Sequence, residues 1–139
     1  MKQIFINLPA DDLDKSVRFY AALGFIINPL FTDKDQRCLI WSDSIYVMLQ
    51  SRAFSNSYIQ RQVLDVSAHQ IPSFTLPGKS VEWVNEMMDH GLKAGGKEPV
   101  PAISEDFMYL RSLEDPDGYL WGILYLEHTK FNDFKKSNP

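Results

Sequence analysis

Two β-forming runs, Phe107–Glu114 and Tyr119–Leu126, flank the tetrapeptide Asp115-Pro116-Asp117-Gly118. Proline presets φ, aspartate bonds its own backbone, and glycine accepts a positive φ, so the tetrapeptide predicts a tight turn. The two runs are therefore expected to pair as an antiparallel hairpin near the C-terminal end of the chain.

The pairing across this turn decides which side chains share a face of the hairpin. Antiparallel pairing is expected to place Arg111 opposite Gly122 and Tyr109 opposite Leu124. One face of the ribbon would then carry an arginine and a tyrosine around a position that has no side chain. This face is predicted to line a small-molecule pocket.

The first fifty residues read as one strand, one helix and three further strands. Residues 2–8 alternate between apolar and mixed positions, which is the period of a half-buried strand. Asp11 or Asp12 is expected to cap a helix that stops at Gly24. The three strands that follow are predicted over residues 25–29, 37–41 and 45–50.

The same order restarts after a polar segment, residues 51–69, which is interpreted as a linker or flap with a weak helical pattern at 59–66. A strand over 71–76 leads to a helix capped by Ser80. A short strand near 98–100 and the hairpin complete the second set.

The chain is therefore predicted to be a single α+β domain of two βαβββ repeats, at residues 1–50 and 70–126. Each helix would cover one face of a curled mixed sheet, and the opposite faces would surround a shared cavity. The tail, residues 127–139, is expected to form a short helix that packs through Phe131 and Phe134.

Composition narrows the classes of partner. The 139 residues carry a net charge of −4 with both signs interspersed, which favours neither a nucleic acid nor a membrane surface. No apolar run approaches the roughly 20 residues that a membrane helix needs. The single Cys38 cannot form an internal disulfide. A cytoplasmic location is expected.

Several segments resemble a known superfamily. Asp12–Ser16, Phe19-Tyr20 and Leu23–Phe25 are similar to the first helix of the glyoxalase, bleomycin-resistance and extradiol-dioxygenase proteins, also called the vicinal oxygen chelate superfamily. Asp115–Tyr119 is similar to its turn before the last strand. The resemblance implies the βαβββ-repeat fold and a homodimer, which in this superfamily is sometimes domain-swapped.

The resemblance extends to a bacterial subgroup described as predicted lactoylglutathione lyase-like proteins. The segments that resemble this subgroup are Asn7–Pro9, Asn28-Pro29, Phe31–Asp33, Ser42-Asp43, Val47–Leu49 and Phe107–Tyr109.

Metal-dependent members of the superfamily hold one divalent ion with four His or Glu side chains, and the ion acts as a Lewis acid. The resemblance places these positions at Phe5, Met48, a residue near Pro72, and Gly122, and none of these residue types is a metal ligand. We therefore expect neither a metal nor another cofactor, and the sequence identifies no catalytic residue.

Other reactive residue types give weak signals. His69, His90 and His128 are not paired at helical or strand spacing, so exposed or capping roles are expected for them. Cys38 lies near the middle of a predicted strand and is interpreted as a small buried residue.

The inward faces of the predicted sheets combine aromatic surface with a few polar groups, as small-molecule sites do. Gly122 in place of a glutamate is expected to open volume, and Arg111 beside it is expected to pair with a carboxylate or phosphate of an anionic ligand. An ion pair from Arg111 to Glu114 or Asp115 is the alternative. The predicted ligand-binding residues are Phe5, Asn7, Tyr46, Met48, Tyr109, Arg111 and Gly122.

Three functions compete. The first is a metal-free protein of the glyoxalase fold that binds a small organic ligand in the cavity between the repeats. The second is a lactoylglutathione lyase-like isomerase or another lyase. The third is an interaction module whose cavity is vestigial. The absence of ligand residues favours the first, and the polar groups on the inward faces argue against the third.

Overall fold

The computed structural model describes residues 1–139, apart from the side chain of Ser67. The chain forms two compact units, Met1–Gln70 and Ile71–Pro139. Each unit contains a strand, a helix and three strands in that order, which confirms the predicted α+β class and its repeat. No helix among the described residues is both long and apolar enough to cross a bilayer.

The first unit is a four-stranded mixed sheet with one helix against it. Its elements are β1 Ile4–Ala10, α1 Leu13–Ala22, β2 Ile26–Asn28, β3 Gln36–Ser42 and β4 Ile45–Ser51. The strand order is β1-β4-β3-β2, and β1 runs parallel to β4 while the other pairs are antiparallel.

Local chemistry sets the ends of α1. The Asp12 carboxylate accepts a hydrogen bond from the Lys15 backbone N–H at 3.1 Å and so caps the first turn. Gly24 follows the helix with φ at +104°, a conformation that residues with a Cβ rarely adopt. Phe19 and Tyr20 are completely buried, and α1 therefore covers one face of the first sheet.

The segment after β4 differs from its prediction. A helix, α2, spans Arg52–Ile59 rather than 59–66, and a short 3-10 turn follows at Val66–Ala68. The Ser51 hydroxyl accepts from the Phe54 backbone N–H at 3.2 Å, so the helix begins as soon as β4 ends. It ends at Gln60, whose φ is 58°.

The second unit repeats the topology of the first. Its elements are β5 Phe74–Gly78, α3 Val81–Lys93, β6 Ile103–Glu105, β7 Met108–Glu114 and β8 Leu120–Leu126. The strand order is β5-β8-β7-β6. Ser80 caps α3 as predicted, accepting from the Trp83 backbone N–H at 3.0 Å.

Two strand positions in the second unit were predicted wrongly. The short strand expected near 98–100 lies instead at Ile103–Glu105, beyond Pro99 and Pro101. Proline has no N–H to donate to a sheet, so the pairing begins only after the second proline. Strand β5 starts at Phe74, two residues after Pro72, rather than at residue 71.

The tail forms the helix that was expected. Helix α4 spans His128–Ser137. The rings of Phe131 and Phe134 lie 5.5 and 4.7 Å from the Phe107 ring, so the tail packs on the start of the hairpin.

Candidate ligand-binding site

The face of the first sheet opposite α1 carries a mixture of aromatic and amide side chains. Register pairs Phe5 with Tyr46 and Asn7 with Met48 across β1 and β4. Gln36 on β3 lies opposite Gln50 on β4. Because alternate residues of a strand share a face, all of these side chains point to the same side. The alternation that assigned Phe5, Asn7, Tyr46 and Met48 to one face is therefore confirmed.

A cleft of about 390 Å³ lies on this face and is called the unit-one cleft. Its apolar lining consists of Phe5, Phe31, Met48, Phe54 and Tyr58, and its polar lining consists of Asn7, Gln36 and Gln50. Small-molecule sites have this size and this excess of apolar over polar lining. None of the lining side chains is charged, which favours a neutral ligand.

Three of the aromatic rings that line the unit-one cleft, Phe5, Phe54 and Tyr58, belong to stacked pairs. Phe5 stacks on Tyr46 with ring centroids 4.6 Å apart and planes within 8°, and Phe54 stacks on Tyr58 at 5.8 Å. One residue of each pair is accessible to solvent: Phe5 is 46% exposed and Tyr58 is 63% exposed. Tyr46 does not line the cleft itself; its hydroxyl donates to the Asp43 carbonyl at 3.2 Å and so fixes the ring behind Phe5.

The predicted hairpin pairing is wrong by one residue. Arg111 lies opposite Ile123, Tyr109 lies opposite Tyr125, and Ser112 lies opposite Gly122. The Asp115 N–H donates to the Tyr119 carbonyl at 2.9 Å, so the loop consists of the three residues 116–118. The predicted pairing required a loop with an even number of residues. A one-residue shift in pairing moves the side chains of one strand to the opposite face relative to those of its partner. Arg111 and Tyr109 therefore do not share a face with Gly122.

Arg111 and Tyr109 lie instead on the side of the second sheet that packs on α3. The guanidinium of Arg111 makes a bidentate ion pair with Glu98, both nitrogen–oxygen distances being 2.8 Å. It also donates to the Asn85 side-chain oxygen at 3.0 Å, which accepts from the Tyr109 hydroxyl at 2.9 Å. The alternative of an ion pair was the better expectation, although its partner is neither Glu114 nor Asp115.

The Glu98–Arg111 pair shifts both titrations. The hydrogen bonds from Arg111, and secondarily its charge, lower the pKa of Glu98 against the opposing effect of burial. The bonds from Glu98 raise the pKa of Arg111 further above its usual value. Because the bidentate face of the guanidinium is already occupied, an anionic ligand would have to displace Glu98.

Gly122 does not open a cavity. A Cβ built at this position would lie 3.0 Å from the Thr75 hydroxyl oxygen and 3.2 Å from a Leu110 methyl carbon. Thr75 is the parallel partner of Gly122 on β5. The space that a larger residue would occupy is therefore already taken by neighbouring side chains, contrary to the expectation from sequence.

The histidines and the cysteine are placed as expected. His69, His90 and His128 are all exposed. Cys38 is completely buried, and this burial raises the pKa of its thiol.

Comparison with known proteins supports the architecture. Residues 2–39 match the family model described as bleomycin resistance protein-like N-terminal. No curated protein matches the chain significantly. Among solved structures, a hypothetical protein from S. aureus is 23% identical with a TM-score of 0.75, the alignment covering 90% of this chain and 94% of that one.

Two further structures are equally similar in shape. A glyoxalase-related enzyme from Fulvimarina pelagi is 21% identical with a TM-score of 0.75, covering 90% of this chain and 88% of its own. A glyoxalase/bleomycin resistance protein/dioxygenase family enzyme from Burkholderia phytofirmans PsJN is 15% identical with a TM-score of 0.75, covering 91% and 99%. The chain has the glyoxalase/bleomycin resistance fold. The fold implied by the sequence resemblance is thereby confirmed.

Three of the four positions that the sequence resemblance assigns to metal ligands, Phe5, Met48 and Gly122, offer neither an imidazole nor a carboxylate. The Phe5 ring is stacked on Tyr46, Met48 offers only a thioether to the unit-one cleft, and Gly122 has no side chain. Ni²⁺ and Zn²⁺ are coordinated in such sites by imidazole nitrogens and carboxylate oxygens. Across the part of the chain that the structure describes, no three His, Cys, Asp or Glu side chains group closely enough to hold a metal.

The predicted ligand-binding residues leave out five residues of the unit-one cleft: Phe31, Gln36, Gln50, Phe54 and Tyr58. Phe54 and Tyr58 are spaced i and i+4 directly after the capping Ser51, a signal that would have placed α2 and its aromatic face. Gln36 and Phe31 carry no comparable local signal, because their position depends on how β3 and the preceding turn fold over the sheet.

Proposed function

We propose that this glyoxalase-fold protein binds a small, uncharged organic molecule in the unit-one cleft and does so without a metal. The observation that carries the proposal is the cleft of about 390 Å³ with aromatic walls and three amide side chains. Exposed aromatic rings beside convergent polar groups are the usual composition of a ligand site and are rarely left open to water without a role.

The alternative of a lactoylglutathione lyase-like enzyme is less well supported. The positions at which the fold's metal ligands would stand carry a phenylalanine, a methionine and a glycine, and these residues do not supply the donor atoms that a divalent ion takes. An anion site at Arg111 is also less well supported, because Glu98 occupies the guanidinium.

Binding is tested by recording amide NMR spectra of the full chain against a library of neutral aromatic compounds. Compounds that bind should shift the signals of Asn7, Met48 and Tyr58 together and leave those around Arg111 unchanged. The affinity should be the same with EDTA as with added Ni²⁺ or Zn²⁺. Compounds that bind only when metal is added would contradict the proposal.

A matched pair of variants tests the location. Tyr58→Ala removes a ring that is 63% exposed, and Ile59→Ala removes a neighbouring side chain that is 52% exposed and lies outside the cleft lining. We expect the first change to weaken binding about tenfold, as loss of one aromatic contact typically does. The second should leave the affinity within about twofold. Equal effects would show that the cleft is not the site.

A further inference from the structure

The Gln36–Gln50 pair has a hydrogen-bonding pattern that narrows the class of ligand. The two glutamines lie directly opposite each other on β3 and β4. The Gln50 side-chain nitrogen donates to the Gln36 side-chain oxygen at 3.4 Å. Both side chains line the unit-one cleft.

One hydrogen bond between two amides leaves a donor on one and an acceptor on the other. Each glutamine has a carbonyl oxygen and an NH₂ group, and the pair uses one of each. If both amides were turned over, the two roles would exchange, but the pair would still present one free carbonyl and one free NH₂ group. The pattern offered to a ligand is therefore independent of how the amides are oriented.

Because both glutamines line the unit-one cleft, we infer that the carbonyl and NH₂ group left unused by their mutual bond are available to a ligand there. Gln50 is only 5% exposed, and no buried side-chain polar atom among the described residues lacks a partner. The Gln50 side-chain oxygen, for which no bond to Gln36 is formed, therefore keeps some exposure, and the unit-one cleft is the space that Gln50 lines. A polar atom in so restricted a position gains most from a partner that fits it.

We propose, on the basis of the ligand-binding function above, that the ligand is a neutral planar ring with a lactam or carboxamide edge. Such an edge places an N–H donor beside a C=O acceptor, which complements the free carbonyl and NH₂ of Gln50 and Gln36. The flat ring suits the aromatic lining that Phe5, Phe54 and Tyr58 provide. The uncharged lining disfavours an ionised ring.

Three compounds of one shape test the pairing. The compound 2-quinolone has the donor and the acceptor, N-methyl-2-quinolone keeps only the acceptor, and quinoline has neither the carbonyl nor the N–H. We expect NMR titration of the full chain to show about tenfold tighter binding of 2-quinolone than of the other two. The side-chain NH₂ signals of Gln36 and Gln50 should shift with 2-quinolone in particular.

Variants assign the preference to the glutamines. Gln36→Leu should reduce the preference for 2-quinolone over quinoline to less than about twofold. Gln50→Leu should do the same, and Gln36→Leu provides the test if the more buried Gln50 variant folds poorly. The control Gln70→Leu, at an exposed glutamine outside the cleft, should retain the full preference.

The outcomes separate this proposal from the one on which it rests. If the three compounds bind with equal affinity, the lactam assignment is overturned, while the proposal that the unit-one cleft binds a ligand stands. The lactam assignment is also overturned if 2-quinolone does not bind while another neutral library compound shifts the cleft signals. If no compound shifts those signals, both proposals are overturned.

Discussion

Replacing Arg111 with methionine tests whether this residue stabilises the second unit or receives a ligand. The side chains of Arg111 and Glu98 are 17% and 24% exposed, so the pair is largely but not fully desolvated. Two unit charges about 4 Å apart attract by about 4 kcal/mol at an effective dielectric constant of about 20. Desolvation and side-chain ordering offset part of this attraction. A net loss of about 2 kcal/mol lies between the values for exposed and for buried pairs.

Thermal and urea unfolding of Arg111→Met at pH 7 should show this loss as a decrease in melting temperature of roughly 6–8 °C. The dependence on pH follows from Glu98, whose pKa is lowered in the folded state. Its contribution to stability is present above the unfolded-state pKa of about 4.3 and is lost as the pH falls through the lower folded-state value. The difference between wild type and Arg111→Met should therefore shrink as the pH is lowered to about 3.

Lys97→Met is the matched control, because it removes a neighbouring positive charge that is exposed. It should change the unfolding free energy by less than about 0.5 kcal/mol. The reasoning would be refuted if Arg111→Met were equally harmless, or if its effect stayed constant down to pH 3. Weaker binding of a ligand that occupies the unit-one cleft would instead restore the ligand-binding role that the sequence predicts for Arg111.

Two further experiments probe the packing, one in each unit. Gly78→Ala should cost about 2 kcal/mol of unfolding free energy, because its Cβ would lie 1.9 Å from a ring carbon of Trp83. Urea titration measures this cost, and adding Trp83→Ala should remove most of it; an undiminished cost in the double variant would argue against the contact. Cys38, the only thiol, is completely buried and has a raised pKa, so at pH 8 it should react with a disulfide reagent about a hundredfold more slowly in the native protein than in denaturant. Equal rates would show that the first sheet opens readily at β3.

Helices α1 and α3 and the residues on the face of the first sheet opposite α1 were predictable because their signals are local. Capping at Asp12 and Ser80 depends on residues three positions away, and both helices begin where predicted. The grouping of Phe5, Asn7 and Met48 follows from the period of a strand. Helix α2 was misplaced because its serines and asparagine resemble a loop by composition, although Ser51 and Phe54 carry its start.

Sequence alone thus determined the order of the helix and strands within each repeat, the repeat itself, and the side chains that share the face of the first sheet opposite α1, since each depends on spacing along one segment. The register of the hairpin was decided only in the folded structure, because a loop of three residues shifts the pairing by one and so changes which side chains of the two strands share a face. The same holds for the partner of Arg111. Glu98 lies 13 residues away along the chain, and only the folding of the proline-rich segment over the second sheet brings its carboxylate within 2.8 Å.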